Sequence, residues 1–237
     1  MGERLMHVQV NPDAGLVTAR IIGERRLRKE NIPHFIFMRP LQVVLAKHGF
    51  FFLHASAVYR GNAGVLIHGP QNSGKSTLAL LLAQNGFEYF SDDDCFIQGK
   101  GGRPYVFSLP TKIGVSRTLL KKYPAFRHLT VKNYTYGGKQ RMPMGAMTVD
   151  PDRKKILCKL ILFPRYRAHG RLQIKKISQR ESFERLIGLN RRNVPSPGFQ
   201  KEFWTFFHLT KNAVSYELIY HDGHLKALPG IISQYLP

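Results

Sequence analysis

Several things are scarce in this chain of 237 residues, and each scarcity narrows what it can be. Cysteine occurs only at positions 95 and 158, too few for a disulfide framework or a zinc site. That usage predicts reduced, half-buried cysteines in a cytosolic protein. No run of about eighteen apolar residues occurs, so the sequence predicts no membrane span. Met1-Gly2-Glu3-Arg4-Leu5 lacks the basic-then-apolar profile of a secretory signal, and Met6 stands where a myristoylation motif needs Ser or Thr. The expectation is a soluble, cytoplasmic protein with no membrane partner.

Acidic side chains are the other scarcity. Fifteen Asp and Glu face thirty-six Lys and Arg, a formal net charge of +21. The imbalance is local. Residues 1–110 carry +4, residues 193–237 are neutral, and residues 111–192 carry +17. A field of that sign concentrates an anionic partner. An apolar fraction of 43% is ordinary for a globular chain, and the length suits one substantial α/β domain, alone or with a small appendage.

The order of elements follows from periodicity and turn residues. Residues 6–22 read as a hairpin turning at Asn11-Pro12-Asp13-Ala14-Gly15. Residues 39–48 read as a helix with Pro40 in its first turn and Gly49 ending it. Strand-like runs follow at 50–54, 55–60 and 63–68, the last apolar enough for a buried central strand. A helix spans Lys75 to Asn85 and stops at Gly86, and Phe87–Ser91 is a further strand. Residues 131–149, with Gly137-Gly138 and Pro143, read as a long lid-like loop. Residues 155–163 form a strand, 171–177 its neighbour, and 179–189 and 200–210 helices. A strand at 214–220 and a short helix at 224–235 close the chain.

The strongest signal is Gly69-Pro70-Gln71-Asn72-Ser73-Gly74-Lys75-Ser76, followed by Thr77. Gly-x-x-x-x-Gly-Lys-Ser wraps the backbone around a phosphate so that amide N–H groups point inward. The helix that starts at Lys75 adds its positive end. Lys75 neutralises β- and γ-phosphate charge, and the Ser76 hydroxyl ligates magnesium. An apolar strand before and a helix after supply the context that the motif requires. The expected ligands are ATP and Mg2+.

Asp92-Asp93-Asp94, at the end of the next strand, supplies the second half. Adjacent carboxylates repel one another unless a cation or a catalytic role holds them together. Carboxylates beside a phosphate loop hold magnesium and orient the nucleophile. His54 is a third candidate. Arg141, in the glycine-rich stretch, and Arg165, at a strand end, are the basic residues expected to close over a transferred phosphoryl group. Tyr134, Tyr136 and Tyr166 interleave with the basic residues, which leaves an alternative: a nucleotide-binding protein that engages nucleic acid. No helix-turn-helix, zinc finger or RNA-binding signature accompanies it.

With these residues in place, the sequence resembles the HPr kinase/phosphorylase family and its smaller HPr-kinase-related members. His54 lies fifteen residues before Gly69, Gly74-Lys75-Ser76 holds the family's Gly-Lys-Ser position, and Gly86 precedes Asp92 and Asp93 at the family's spacing. Leu53-His54-Ala55-Ser56-Ala57-Val58 and Phe163-Pro164-Arg165-Tyr166 look more like the HPr-kinase-related group. The resemblance implies a P-loop α/β fold akin to the HPr kinase C-terminal domain and phosphoenolpyruvate carboxykinase, a mixed sheet with flanking helices. With the element order and the charge profile, the expectation is a hairpin and helix over 1–48 packed on a catalytic domain over 49–237 that resembles the family's, with a basic substrate and lid region at 111–192. It implies transfer of the γ-phosphoryl group of ATP to a serine hydroxyl, on an acidic protein or peptide or a small molecule, and a tendency to homo-oligomers. In family terms Asp92 takes the hydroxyl proton, Asp93 holds magnesium with Ser76, and His54 stands beside the carboxylates. The chain departs from the pattern at three places. Phe87 replaces a histidine, Thr77 replaces a glutamate, and Leu109–Gly114 lacks the family's downstream carboxylate. These departures leave the acceptor and any phosphorylase reaction open.

Overall fold

The computed structural model describes residues 6–21, 37–109, 113–116, 120–121, 135–136, 139–142, 150, 152–190 and 198–236. The described elements are, in order, β1 (Met6–Asn11), β2 (Leu16–Ile21), α1 (Arg39–Lys47), β3 (Phe51–Leu53), β4 (Ala55–Arg60), β5 (Ala63–His68) and α2 (Lys75–Ala83). Then come β6 (Glu88–Ser91), β7 (Cys95–Lys100), β8 (Arg103–Ser108), β9 (Ile113–Ser116), β10 (Thr135–Tyr136), β11 (Lys139–Met142), β12 (Lys155–Tyr166) and β13 (Gln173–Lys176). The chain closes with α3 (Gln179–Asn190), α4 (Phe199–Asn212), β14 (Val214–Tyr220) and α5 (Leu228–Ser233).

Alternation along the central strands divides the interior in two. Val65 and Ile67 of β5, with Leu160 and Leu162 of β12 and Leu218 of β14, pack with α2 and α5. Leu66 of β5, with Ile161 and Phe163 of β12, packs on the other side with Leu186 of α3 and with Phe206 and Leu209 of α4. A period of two thus feeds both cores from one sheet. Each fully buried Leu, Ile or Val there stabilises the fold by about 1.5–3 kcal/mol. On α2 the run Leu78–Leu82 is buried throughout, which suits a helix enclosed by β4, β6, β9 and α5 rather than one with a solvent face.

The main sheet runs β3-β7-β8-β12-β5-β4-β6, with β14 also on β12 and β13 on β14. β12 joins its two parts. Lys155–Leu157 pair antiparallel with β8, and the later residues pair in parallel with β5 and β14. β4 is antiparallel to both β5 and β6, so β6 runs the same way as β5. The carboxyl ends of β6, β5, β12 and β14 therefore share one edge, where ligands bind in open α/β sheets.

Three readings from sequence change here. β13 pairs with β14, not with β12, because β14 lies in parallel against β12 and separates them. The stretch 131–149 is not all loop: Thr135–Tyr136 and Lys139–Met142 are strands that join β9 in a small antiparallel sheet, and its other residues lie outside those described. Residues 95–108, to which the sequence reading assigns no element, form the hairpin β7–β8 across Gly101-Gly102. The N-terminal hairpin is present, with Asn11 Oδ1 accepting from the Asp13 and Ala14 amides, and α1 packs against β1 and β3.

Candidate functional site

The glycine-rich loop leaves β5 at the shared edge and enters α2 through Gly74. Gly74 sits at φ +96°, and a side chain there would run into the Tyr220 hydroxyl. Asn72 also takes a left-handed conformation, at φ 64°. Such values are uncommon outside glycine and turn the amides of successive residues toward one side. The loop is braced by Ser73 N–H donating to Pro70 O at 3.2 Å, and α2 begins with Leu78 N–H on Gly74 O at 2.9 Å. Lys75 is buried, and its ammonium lies across the loop, donating to Gly69 O at 2.9 Å and to Pro70 O at 3.0 Å. Ser73 Oγ is buried and has no hydrogen-bond partner among the described residues. A buried hydroxyl in that state costs about 1–3 kcal/mol unless something accepts its proton, and a phosphate oxygen in the loop would.

The carboxylates divide into two environments. Asp92 is 4% exposed, and its Oδ1 accepts from Ser76 Oγ and from Ser56 Oγ, each at 2.8 Å. One serine comes from the first turn of α2 and the other from β4, so a single oxygen ties the loop's helix to the sheet. Asp93 turns the other way. Its backbone is left-handed at φ 66°, its carbonyl accepts from His54 Nδ1 at 3.1 Å, and its Oδ1 lies 3.5 Å from His54 Nε2. The chain then bends through Asp94 N–H on Asp92 O and Ser91 Oγ on Asp94 O. Burial pushes the His54 pKa down, the Asp93 carboxylate pulls it back up, and the Lys75 ammonium pushes it down again.

Of the residues expected from sequence, the loop Gly69–Thr77, Asp92, Asp93 and His54 come together at this edge. The Ser76 hydrogen bond runs to Asp92, whereas the family resemblance pairs Ser76 with Asp93. Arg165 is exposed at the end of β12 and lines a cavity of about 480 Å³ together with Gly69–Ser73, Arg185 and Glu217. Arg141 stands on β11 opposite Gly114 of β9, in the small sheet that rests on α2 through Val115. Tyr134 lies outside the described residues.

Two residues of the site escape the sequence reading. Ser56 is one; its signal is a buried serine inside an otherwise apolar strand, which has to find a partner. His68 is the other. It ends β5 one residue before the loop, donates Nδ1–H to His54 O at 3.0 Å and meets Phe163 edge-on at 6.0 Å. Burial pushes its pKa down to about 4, so it is neutral at pH 7 and ties the start of β4 to the end of β5.

Among the described residues there is no group of three or more His, Cys, Asp or Glu fit to hold a metal alone. Magnesium does not need one, since it is usually held by one or two carboxylates together with phosphate oxygens and water. A buried carboxylate hydrogen-bonded to the loop's serine is a donor set of that kind. None of the described helices is long and apolar enough to cross a membrane.

No family model matches this chain. No curated protein matches it. Solved structures do, among them the Hpr(Ser) kinase/phosphatase from Coxiella burnetii, at 12% identity and a TM-score of 0.38 over 77% of this chain and 86% of that one. A likeness of that size decides nothing about activity, and the site stands on its own geometry.

Proposed function

We propose that this protein is an ATP- and magnesium-dependent phosphotransferase that moves the γ-phosphoryl group to a hydroxyl, with serine in an acidic protein or peptide as the leading acceptor. The observation that carries the reading is the hydrogen bond from Ser76 Oγ to Asp92 Oδ1, at the mouth of a glycine-rich loop with a second carboxylate and a histidine next to it. The loop Gly69–Thr77 cradles the triphosphate, and Lys75 turns from the loop's own carbonyls to the β- and γ-oxygens. Ser76 and Asp92 would hold magnesium, which when bound neutralises charge on those oxygens.

Asp93 carries its carboxylate beside His54 rather than against Ser76, and we assign it the acceptor's proton. The hydroxyl oxygen bonds to the γ-phosphorus, the bond from that phosphorus to the β–γ bridging oxygen breaks, and the proton passes to Asp93. His54, neutral at pH 7, keeps the Asp93 turn in place through its carbonyl. Relative to the roles implied by resemblance, the two aspartates exchange tasks. Arg165 meets the anionic acceptor or the transferred group, and Arg141, on β11, is proposed for the same task. The net +17 of residues 111–192 supports an anionic acceptor.

The test is transfer of label from γ-labelled ATP with magnesium into a lysate of the host. A labelled product should form with the natural protein and vanish in Lys75→Ala. Asp93→Asn should retain binding of ATP with magnesium and lose transfer, while Asp92→Asn should lose the magnesium dependence of binding itself. The reverse pattern would return the roles to those of the resemblance. Absence of any label despite binding would end the kinase reading.

A further inference from the structure

We propose that Tyr166 is the platform on which the base of the nucleoside triphosphate stacks, a purine being the base whose face best matches it. This rests on reading Gly69–Ser76 as a triphosphate loop. A single exposed tyrosine is ordinary on a protein surface. The place of this one is not.

Along the carboxyl edge of the sheet the strands stand in the order β6, β4, β5, β12, β14. Asp92 and Asp93 follow β6, and His54 precedes β4, so the groups assigned here to magnesium and to proton transfer lie on one flank of the loop; Glu217, on the other flank, is paired with Arg185 at 3.1 Å. The γ end of a triphosphate must face that flank. Its nucleoside must therefore leave over the opposite flank, formed by the ends of β12 and β14. Tyr166 is the last residue of β12, in parallel register with Tyr220, the last residue of β14.

Tyr220 is buried and lies directly behind Gly74, where α2 begins. The two rings meet at 5.8 Å with their planes at 78°. In such an edge-to-face pair one ring offers its rim and the other a face. Whichever does so here, Tyr220 leaves at least one face of Tyr166 uncovered. The chain beyond is pinned as well, with Arg167 N–H donating to Tyr220 O at 2.9 Å. Tyr166 is thus a held ring, 44% exposed, that lines the same cavity as Gly69–Ser73. Neighbouring strands lie about 5 Å apart, so a ring one strand away from the loop is within the length of a nucleotide whose phosphates occupy it. Stacking on an aromatic face suits any base and is strongest for the larger ones.

The experiment compares binding of ATP with binding of inorganic tripolyphosphate, both with magnesium, by titration calorimetry on the full chain. Tyr166→Ala should weaken ATP about tenfold or more and leave tripolyphosphate unchanged, while Tyr166→Phe keeps both. Unchanged ATP affinity in Tyr166→Ala, or an equal loss for both ligands, would overturn the proposal. Lys75→Ala should weaken both ligands. If the natural protein binds neither, the phosphate-loop reading fails first and the platform falls with it.

Discussion

Ser76 and Asp92 are joined by a 2.8 Å hydrogen bond between the first turn of α2 and the end of β6. The carboxylate oxygen involved also takes the Ser56 hydroxyl, so it is held from two elements while the lysine next to Ser76 stays on the loop's carbonyls. A hydroxyl and a carboxylate pre-positioned at that spot hold a hard cation with little rearrangement. In Ser76→Ala the cation loses one ligand and keeps Asp92. ATP affinity measured with magnesium should fall about tenfold, and affinity measured in EDTA should not change. An equal loss in both conditions would show that Ser76 supports the loop rather than the metal.

Lys75 faces an opposite test. Its ammonium makes two hydrogen bonds within the loop, and such charge-assisted bonds are worth about 1.5–3 kcal/mol when a charged group is involved. Lys75→Met removes them and also removes the positive charge that triphosphate requires. Melting temperature without ligand should drop, and the rise produced by saturating ATP and magnesium should disappear. A variant that melts lower yet keeps the ligand-induced rise would leave Lys75 a purely structural residue.

How much of this is legible in sequence depends on range. The loop, its strand and its helix can be read because glycine spacing, apolar run and strong helix formers agree within one short stretch. The Gly101-Gly102 turn carried an equally local signal, with both residues at positive φ and Lys100 opposite Arg103, but the strands beside it hold no clean alternation. Pairing is the part that cannot be read. β13 follows β12 in the chain, yet β14 intervenes after a crossover through α3 and α4, a choice made by burial of Leu218 and Tyr220 rather than by local period. That Asp92 and Asp93 take different partners is hidden as well. It depends on a left-handed turn at Asp93 that sends adjacent side chains to different partners.

His68 makes stability depend on pH in a predictable direction. Its pKa is about 4 in the folded protein against 6.5 for an ordinary histidine. Above pH 6.5 both folded and unfolded chains leave it neutral and its contribution is complete. Between pH 6.5 and 4 the unfolded chain takes up a proton that the folded one refuses, so stability declines as pH falls, by about 3 kcal/mol across the window. His68→Asn retains a donor for His54 O without a titrating group. Urea midpoints at pH 7 and pH 5 should therefore lie closer together in His68→Asn than in the natural protein. Parallel declines would mean that His68 is protonated in the folded state.

Gly74 and Tyr220 give the most local prediction. An alanine at position 74 must hold φ +96°, which costs about 1–2 kcal/mol for a residue with a Cβ, and its methyl meets the Tyr220 hydroxyl. Overpacking of that kind adds about 1–3 kcal/mol. Tyr220→Phe removes the oxygen, leaving the ring carbon at 3.2 Å, a close contact that a small shift relieves. In a double-mutant cycle followed by urea unfolding, Gly74→Ala should destabilise strongly alone and distinctly less in the Tyr220→Phe background. The backbone part of the cost should persist in both. Equal effects in the two backgrounds would show that the methyl never reaches Tyr220, and that the loop enters α2 along a different path.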